Sequence, residues 1–301
     1  MSKLRWFSIV CMLALMSPKL VLAADGGDYT IRSNPSEVRV LFTAMDSQGR
    51  RISQLEPKDV AVLDNGEVIR RFRSFGSASE TPLNVVILVD TSDSVAKQVA
   101  GVLESVQAFI HSSKWLAGDQ ISVLVFNGTR ADVICSRNCR EQAPIPAKSS
   151  KGNTTPLYDA LLTASELIAR TADGARRSAI ILLSDGNDNI STHGLTQAIA
   201  AAQSVDASVY TLNLRAQRAD AQSDAVLERI ATETGGVAYG PGRGTAEALD
   251  AVLDDLRQGF VLTYECPRNV AVRHGVRVVP ALNSRLRFRS RQSYIGSTVG
   301  R

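Results

Sequence analysis

Between about residues 28 and 78 the apolar positions come in short runs broken by turn signals. Val38-Arg39-Val40-Leu41-Phe42 begins with alternation and leads to Asp46-Ser47-Gln48-Gly49, while Val60-Ala61-Val62-Leu63 passes through Asp64-Asn65-Gly66 to Val68 and Ile69. An Asn-Gly pair between apolar runs is a strong hairpin signal, because both central residues of a type I′ turn need positive φ. The stretch is predicted to form a small antiparallel β module.

After Pro82 the period changes. Leu83-Asn84-Val85-Val86-Ile87-Leu88-Val89 is almost continuously apolar, as expected of a strand covered by helices on both faces. Val95, Val99, Val102, Val106 and Phe109 then recur at helical spacing. Further buried strands are predicted at 121–126, 179–183 and 209–212. Helices are predicted where Leu157, Leu161, Leu167 and Ile168 recur, and near 195–204, 225–232 and 246–257. This order predicts an α/β fold with a doubly wound, mostly parallel sheet. From Phe260 strand patterns return, ending in Arg285-Leu286-Arg287-Phe288-Arg289-Ser290-Arg291. There, alternation puts four arginines on one face and Leu286 and Phe288 on the other. That strand is predicted to pack beside the N-terminal β module, giving a small flanking module built from both ends of the chain.

The start of the chain follows another rule. Lys3 and Arg5 precede an apolar stretch over residues 6–16, Ser17 and Pro18 break it, and Val21-Leu22-Ala23 ends on a small residue. This is the layout of a secretory signal peptide cleaved after Ala23 or Ala24, with an uncleaved membrane anchor as the alternative because Lys19 lies in the cleavage region. The stretch falls short of the about 20 apolar residues that span a bilayer. The reading divides the chain into a signal at 1–23, a β module at 28–80, an α/β domain at 83–262 and C-terminal strands at 263–301. The expected location is periplasmic or secreted, with no transmembrane segment after cleavage. Three of the 34 basic residues and none of the 30 acidic ones lie in the first 23 positions, so 31 basic residues face 30 acidic ones in the rest. A nearly neutral chain gives no argument for nucleic acid. Cys135 and Cys139 could close a small loop in an oxidising compartment, with Cys266 over; a bridge from Cys266 to one of the pair is the alternative. At 44% hydrophobic and 21% charged residues, the composition excludes collagen-like, coiled-coil and wholly disordered chains.

Ligand sites of open α/β sheets lie beyond the carboxyl ends of the strands. Three loops at that end carry chemistry: Asp90-Thr91-Ser92-Asp93-Ser94, then Asn153-Thr154-Thr155-Pro156-Leu157-Tyr158-Asp159, then Ser184-Asp185-Gly186. Carboxylates and hydroxyls are hard oxygen ligands, suited to Mg²⁺, Mn²⁺ or Ca²⁺. Capping of the following helix is the alternative role for Asp90, Ser92 and Ser94.

The three loops, in this order on an α/β pattern, resemble the von Willebrand factor type A domain and its metal-ion-dependent adhesion site. The family's Asp-x-Ser-x-Ser is matched by Asp90, Ser92 and Ser94, its threonine by Thr155, and its last aspartate by Asp185. With the preceding β module and the Tyr294-containing end, the chain further resembles secreted bacterial proteins related to this domain. The resemblance implies a divalent cation, Mg²⁺ first, on Ser92, Ser94 and Thr155, with Asp90 and Asp185 supplying charge directly or through water. It implies a protein partner that offers an Asp or Glu to the ion, and no catalysis. His111, His193 and His274 form no His-Glu-x-x-His motif, and neither a Gly-x-Ser-x-Gly elbow nor a Gly-Lys-Ser/Thr phosphate loop is present. Two rival readings are a structural or assembly component that binds without metal and an accessory of a chelatase-type enzyme. Arg285, Arg287, Arg289 and Arg291 form either a solvated sheet face or a site for a polyanion.

Overall fold

Four short strands lead the described chain: β1 (Glu37–Met45), β2 (Val60–Asp64), β3 (Glu67–Ile69) and β4 (Ser74–Ser77). Strands then alternate with helices through β5 (Leu83–Asp90), α1 (Ala96–Ile110), β6 (Gln120–Asn127), β7 (Arg130–Cys135), α2 (Leu157–Thr171), β8 (Arg177–Ser184), α3 (Leu195–Ser204), β9 (Ser208–Asn213), α4 (Ala221–Thr234), β10 (Ala238–Tyr239) and α5 (Thr245–Arg257). The last strands are β11 (Phe260–Glu265), β12 (Arg273–Pro280), β13 (Arg287–Ser290) and β14 (Ser293–Ile295). This computed structural model describes residues 37–142, 154–215, 220–266, 273–282 and 285–295, all within one compact unit. The signal segment read at 1–23 lies outside the described residues.

The central sheet runs β10-β9-β8-β5-β6-β7, parallel except for β7, which turns back against β6. Every residue of β5 and β8 is buried, which is why their sequences are nearly continuous in apolar residues. Successive residues serve opposite faces. Val85, Ile87 and Val89 join α1 and α5 in one core, whereas Val86 and Leu88 join α2, α3 and α4 in another. This is the doubly wound α/β fold that the sequence predicts. Two strands were not anticipated. β7 is an edge strand with Val133 46% exposed, so no burial requirement marks its sequence, and β10 has only two residues.

Two four-stranded sheets flank this layer, ordered β13-β1-β11-β4 and β14-β12-β2-β3. Asn65 and Gly66, at φ 47° and 86°, make the tight turn between β2 and β3. β13 pairs with β1 from Phe42↔Ser290 to Met45↔Arg287, so both ends of the chain build the flanking module. β11 pairs with β1 and β4 along 260–265 and belongs to that module throughout. Val40, Phe42, Val62, Phe260, Leu262, Tyr264 and Val278 form its core.

The four arginines divide. Arg285 and Arg287 are exposed, but Arg289 turns in to Asp255, with Nη2 to Oδ2 2.5 Å, and Arg291 reaches Asp206 at 2.6 Å. Half of that predicted basic face is therefore neutralised within the chain.

Cys135 and Cys139 form a disulfide. Replacing both by serine is expected to cost about 2 kcal/mol of unfolding free energy, the chain-entropy value for so short a loop. The urea midpoint reads this directly, and an unshifted midpoint removes the bridge from the stabilising contacts. Cys266 lies in the flanking module with Sγ 3.4 Å from the Tyr294 hydroxyl. Among the described residues no helix is long and apolar enough to cross a membrane.

Candidate metal centre

After β5 the chain lays β6 and β7 on one side, then crosses to build β8, β9 and β10 on the other. The adjacent carboxyl ends of β5 and β8 are thus the topological switch point, where an open α/β sheet leaves a crevice. Asp90 is the last residue of β5, and Asp185 directly follows β8.

The first loop is held by its own backbone. The Ser92 N–H donates to Asp90 Oδ1 at 2.9 Å, and Thr91 donates through both N–H and hydroxyl to the Phe126 carbonyl, fixing the loop to the end of β6. Capping does not explain the serines. Neither the short 3-10 turn after Ser92 nor α1 takes a side-chain cap, and the Ser92 and Ser94 hydroxyls instead lie 3.0 Å from each other.

The second loop is pinned from both sides. The Thr154 hydroxyl donates to the Gly128 carbonyl at 2.8 Å, and the Thr155 N–H donates to Asn189 Oδ1 at 2.8 Å. Thr155 itself is buried, and among the described residues no hydrogen bond engages its hydroxyl.

On the third loop Asp185 accepts from the Asn187 N–H at 3.1 Å and from Asn187 Nδ2 at 3.0 Å. Ser184 ties the Asp90 carboxylate to the third loop: its hydroxyl donates to Asp90 Oδ2 at 2.7 Å and accepts from the Gly186 N–H at 3.1 Å. Gly186 is required there. It sits at φ 82°, and a Cβ would come within 2.6 Å of the Ser223 carbonyl oxygen on α4. Asp188 shapes the rest of the loop by accepting from the Tyr158 N–H at 3.1 Å and the Ser191 hydroxyl at 2.5 Å. Asp159 accepts from the Thr192 and His193 N–H groups and so ties the loop to the start of α2.

Ser92, Ser94 and Thr155 open on one cleft of about 570 Å³, together with Asp93, Asn187, Asp188 and Asn189. A larger cleft of about 870 Å³ along α4 and β10 gathers no comparable set of oxygens around buried carboxylates. Asp90 is fully buried, and loss of solvent pushes its pKa up to about 6. The bonds from Ser92 and Ser184 oppose that rise, and the nearby Asp185 charge adds to it.

The residues fit a hard divalent ion. Every donor is oxygen, three are neutral hydroxyls, and the two carboxylates are buried where an unpaired negative charge is costly. The cleft is lined by hydroxyl, amide and carboxylate side chains with no His or Cys among them, and so is poor in the soft and imidazole ligands that transition metals favour. The structure places the five predicted candidates on the three loops at the carboxyl ends of β5 and β8. Ser184 was visible beside Asp185 in Ser-Asp-Gly, and Asp188 and Asn189 read as residues that shape the loop rather than bind metal; Asn187 carried no signal of its own.

Comparison with known proteins agrees with this architecture. The family described as von Willebrand factor type A domain matches residues 84–246. Proximal thread matrix protein 1 from the mussel byssus, solved in a form with a zinc-occupied MIDAS motif, is 15% identical over 61% of this chain and 50% of its own, with a TM-score of 0.45. The chain thus spans about half the length of the mussel protein. A von Willebrand factor type A protein from Catenulispora acidiphila is 13% identical over 89% of this chain and 75% of its own, with a TM-score of 0.48. The ArnB paralog VWA2 from Sulfolobus acidocaldarius is 13% identical over 88% and 76%, with a TM-score of 0.46. No curated protein matches the chain. Since the family match spans more than half of the sequence, the chain belongs to the von Willebrand factor type A domain family.

Proposed function

We propose that this chain is an exported binding protein that captures a partner protein through a divalent cation, Mg²⁺ first, with Mn²⁺ or Ca²⁺ as alternatives. The observation that carries the reading is the meeting of the Ser92, Ser94 and Thr155 hydroxyls on one cleft, unspent on helix capping, beside the buried carboxylates of Asp90 and Asp185. The hydroxyls would hold the ion, and the carboxylates would supply charge directly or through water. When bound, the ion supplies an electrophilic position for an Asp or Glu of the partner. Without it, Asp90, Asp185 and the cleft residues Asp93 and Asp188 repel an acidic side chain, so capture depends on the ion. Ile190, exposed and next in sequence to the cleft residue Asn189, would offer such a partner an apolar contact.

Export is supported by the disulfide. The histidines take no part in this reading: His193 is held by Asp159 and His274 is buried against Asp64. Titration of Mg²⁺ and Mn²⁺ into the wild type and Asp90→Ala, with partner capture from the exported fraction with and without chelator, tests the reading. Loss of ion binding and of capture in Asp90→Ala is expected, as is loss of capture in chelator. Capture that survives either change overturns it and favours a metal-independent assembly component.

A further inference from the structure

Arg215, two residues beyond β9, reaches into the edge of the candidate metal centre. Its Nη2 lies 3.6 Å from Asp185 Oδ2 and its Nη1 lies 3.7 Å from Asp220 Oδ2. The side chain is 18% exposed, that of Asp185 is 3% exposed and that of Asp220 is 41% exposed, so one guanidinium bridges a buried acid and a solvated one.

The bridge differs from the pairs made by the comparably buried Arg257, Arg289 and Arg291, although exposed pairs such as Arg170–Glu166 at 3.7 Å are as long. Charge-assisted N–H···O bonds close to about 2.7–2.9 Å, and Arg289–Asp255 and Arg291–Asp206 do so at 2.5 and 2.6 Å. Arg215 stands off from both of its acids by an ångström or more beyond that. Its partners are occupied by other donors: Asp185 Oδ2 accepts from Asn187 Nδ2, and Asp220 caps α4 by accepting from the Gln222 N–H while its Oδ2 also takes the Ser223 hydroxyl. The backbone of Arg215 is fixed, with its N–H on Asn213 Oδ1 at 2.9 Å. A pinned backbone with a guanidinium held by charge rather than by short directional bonds leaves the side chain able to shift between two carboxylates.

We propose that Arg215 is a tethered counter-cation of the metal centre, resting on Asp185 when no ion is bound and yielding it to Asp220 when one is. This inference rests on the metal reading above. A divalent ion and a guanidinium both draw on the charge of Asp185 and repel each other. Arg215 therefore offsets part of the negative charge of the ion-free centre and lowers its affinity for the ion, which makes loading reversible and dependent on ion concentration.

Calorimetric titration of Mn²⁺ into the full chain, with no partner present, tests this through opposite signs. Arg215→Gln is expected to bind Mn²⁺ about tenfold more tightly than the wild type, the Coulombic effect of removing one charge near a partly buried ion. Asp220→Asn keeps the helix cap, since Asn caps as well as Asp, but removes the alternative seat of the guanidinium. It is expected to weaken binding about threefold. Arg243→Gln removes the same charge from a residue that sits over Tyr239 and pairs with Glu247, and is expected to leave affinity within about twofold. Arg215→Gln binding no more tightly than the wild type overturns the inference. Should that variant not fold, Asp220→Asn decides, and unchanged or tighter binding overturns it. If wild type and Asp90→Ala both take up no Mn²⁺ and Arg215→Gln takes up none either, the metal reading falls and the inference with it. If the wild type binds, Asp90→Ala does not and Arg215→Gln is unchanged, only the role of Arg215 falls.

Discussion

Replacing Asp255 by alanine is expected to cost about 3–5 kcal/mol of unfolding free energy, the loss seen when one member of a buried ion pair is removed and its partners stay behind. Asp255 lies on the inward side of α5 and is 2% exposed. Its Oδ2 accepts from the Tyr210 hydroxyl at 2.7 Å and from Arg289 Nη2 at 2.5 Å, and its Oδ1 faces Arg51 Nη2 at 2.5 Å. One carboxylate thus joins α5 and β9 of the central layer to β13 and to the residue group after β1. Without it, two guanidiniums with side chains 21% and 36% exposed would lose their shared counter-charge. The Tyr210 hydroxyl, whose pKa burial already pushes well up, would lose its acceptor. Asp255→Asn should cost less, since the amide oxygen still accepts, yet it leaves both cations uncompensated. Asp254→Ala is the internal control. Its carboxylate is 57% exposed and stands 3.8 Å from Lys114, so its removal should change stability by less than about 1 kcal/mol. Urea unfolding of the three variants at neutral pH makes the comparison, and an Asp255→Ala midpoint equal to that of Asp254→Ala would show that the cluster contributes no net stability.

Asp255 also marks where the sequence stops being informative. Asp254-Asp255 on an amphipathic helix reads as two solvated acids, and only the arrival of Arg51 and Arg289 from distant parts of the chain separates them. The same holds for the arginine-bearing strand: alternation at 285–291 set the arginines apart from Leu286 and Phe288, but could not reveal that Asp255 and Asp206 would meet two of them. Arg215 is another such case, because its approach to Asp185 depends on β9 lying beside β8. By contrast, the central sheet was legible because a strand covered on both faces must be apolar along its length, as at Leu83 to Val89. The five site candidates were legible for a related reason. Strand order determines which loops share the carboxyl end of the sheet, so Asp90, Thr155 and Asp185 could be placed near one another without any contact being known. The hydrogen bonds that orient them, through Ser184, Asn187 and Asn189, follow from loop geometry that no periodicity encodes.

The charge on Asp90 gives the second large effect, with a sign opposite to that of most aspartate replacements. Burial raises its pKa from 3.8 to about 6, so in the absence of an ion the folded state holds a proton more tightly than the unfolded state. The folded protein therefore binds more protons between about pH 4 and 6, and stability falls as pH rises through that window. The stability associated with the protonated carboxyl is fully present below the unfolded pKa and is lost once the pH passes the folded one. At about 1.4 kcal/mol per pH unit, two units place the penalty near 3 kcal/mol at neutral pH. Asp90→Asn cannot ionise, and its amide can still accept from the Ser92 N–H and donate to Ser184 Oγ. The variant is expected to match the wild type near pH 4 and to exceed it by about 2–3 kcal/mol at pH 7 when both are kept in chelator. Added Mg²⁺ should then stabilise the wild type in proportion to the logarithm of its concentration above Kd and leave the variant unmoved. Urea unfolding at several pH values, with chelator and with Mg²⁺, separates the two contributions. If Asp90→Asn is less stable than the wild type in chelator at pH 7, the buried carboxylate is not a cost that an ion relieves, and the case for Asp90 as a charge held ready for a cation loses its physical basis.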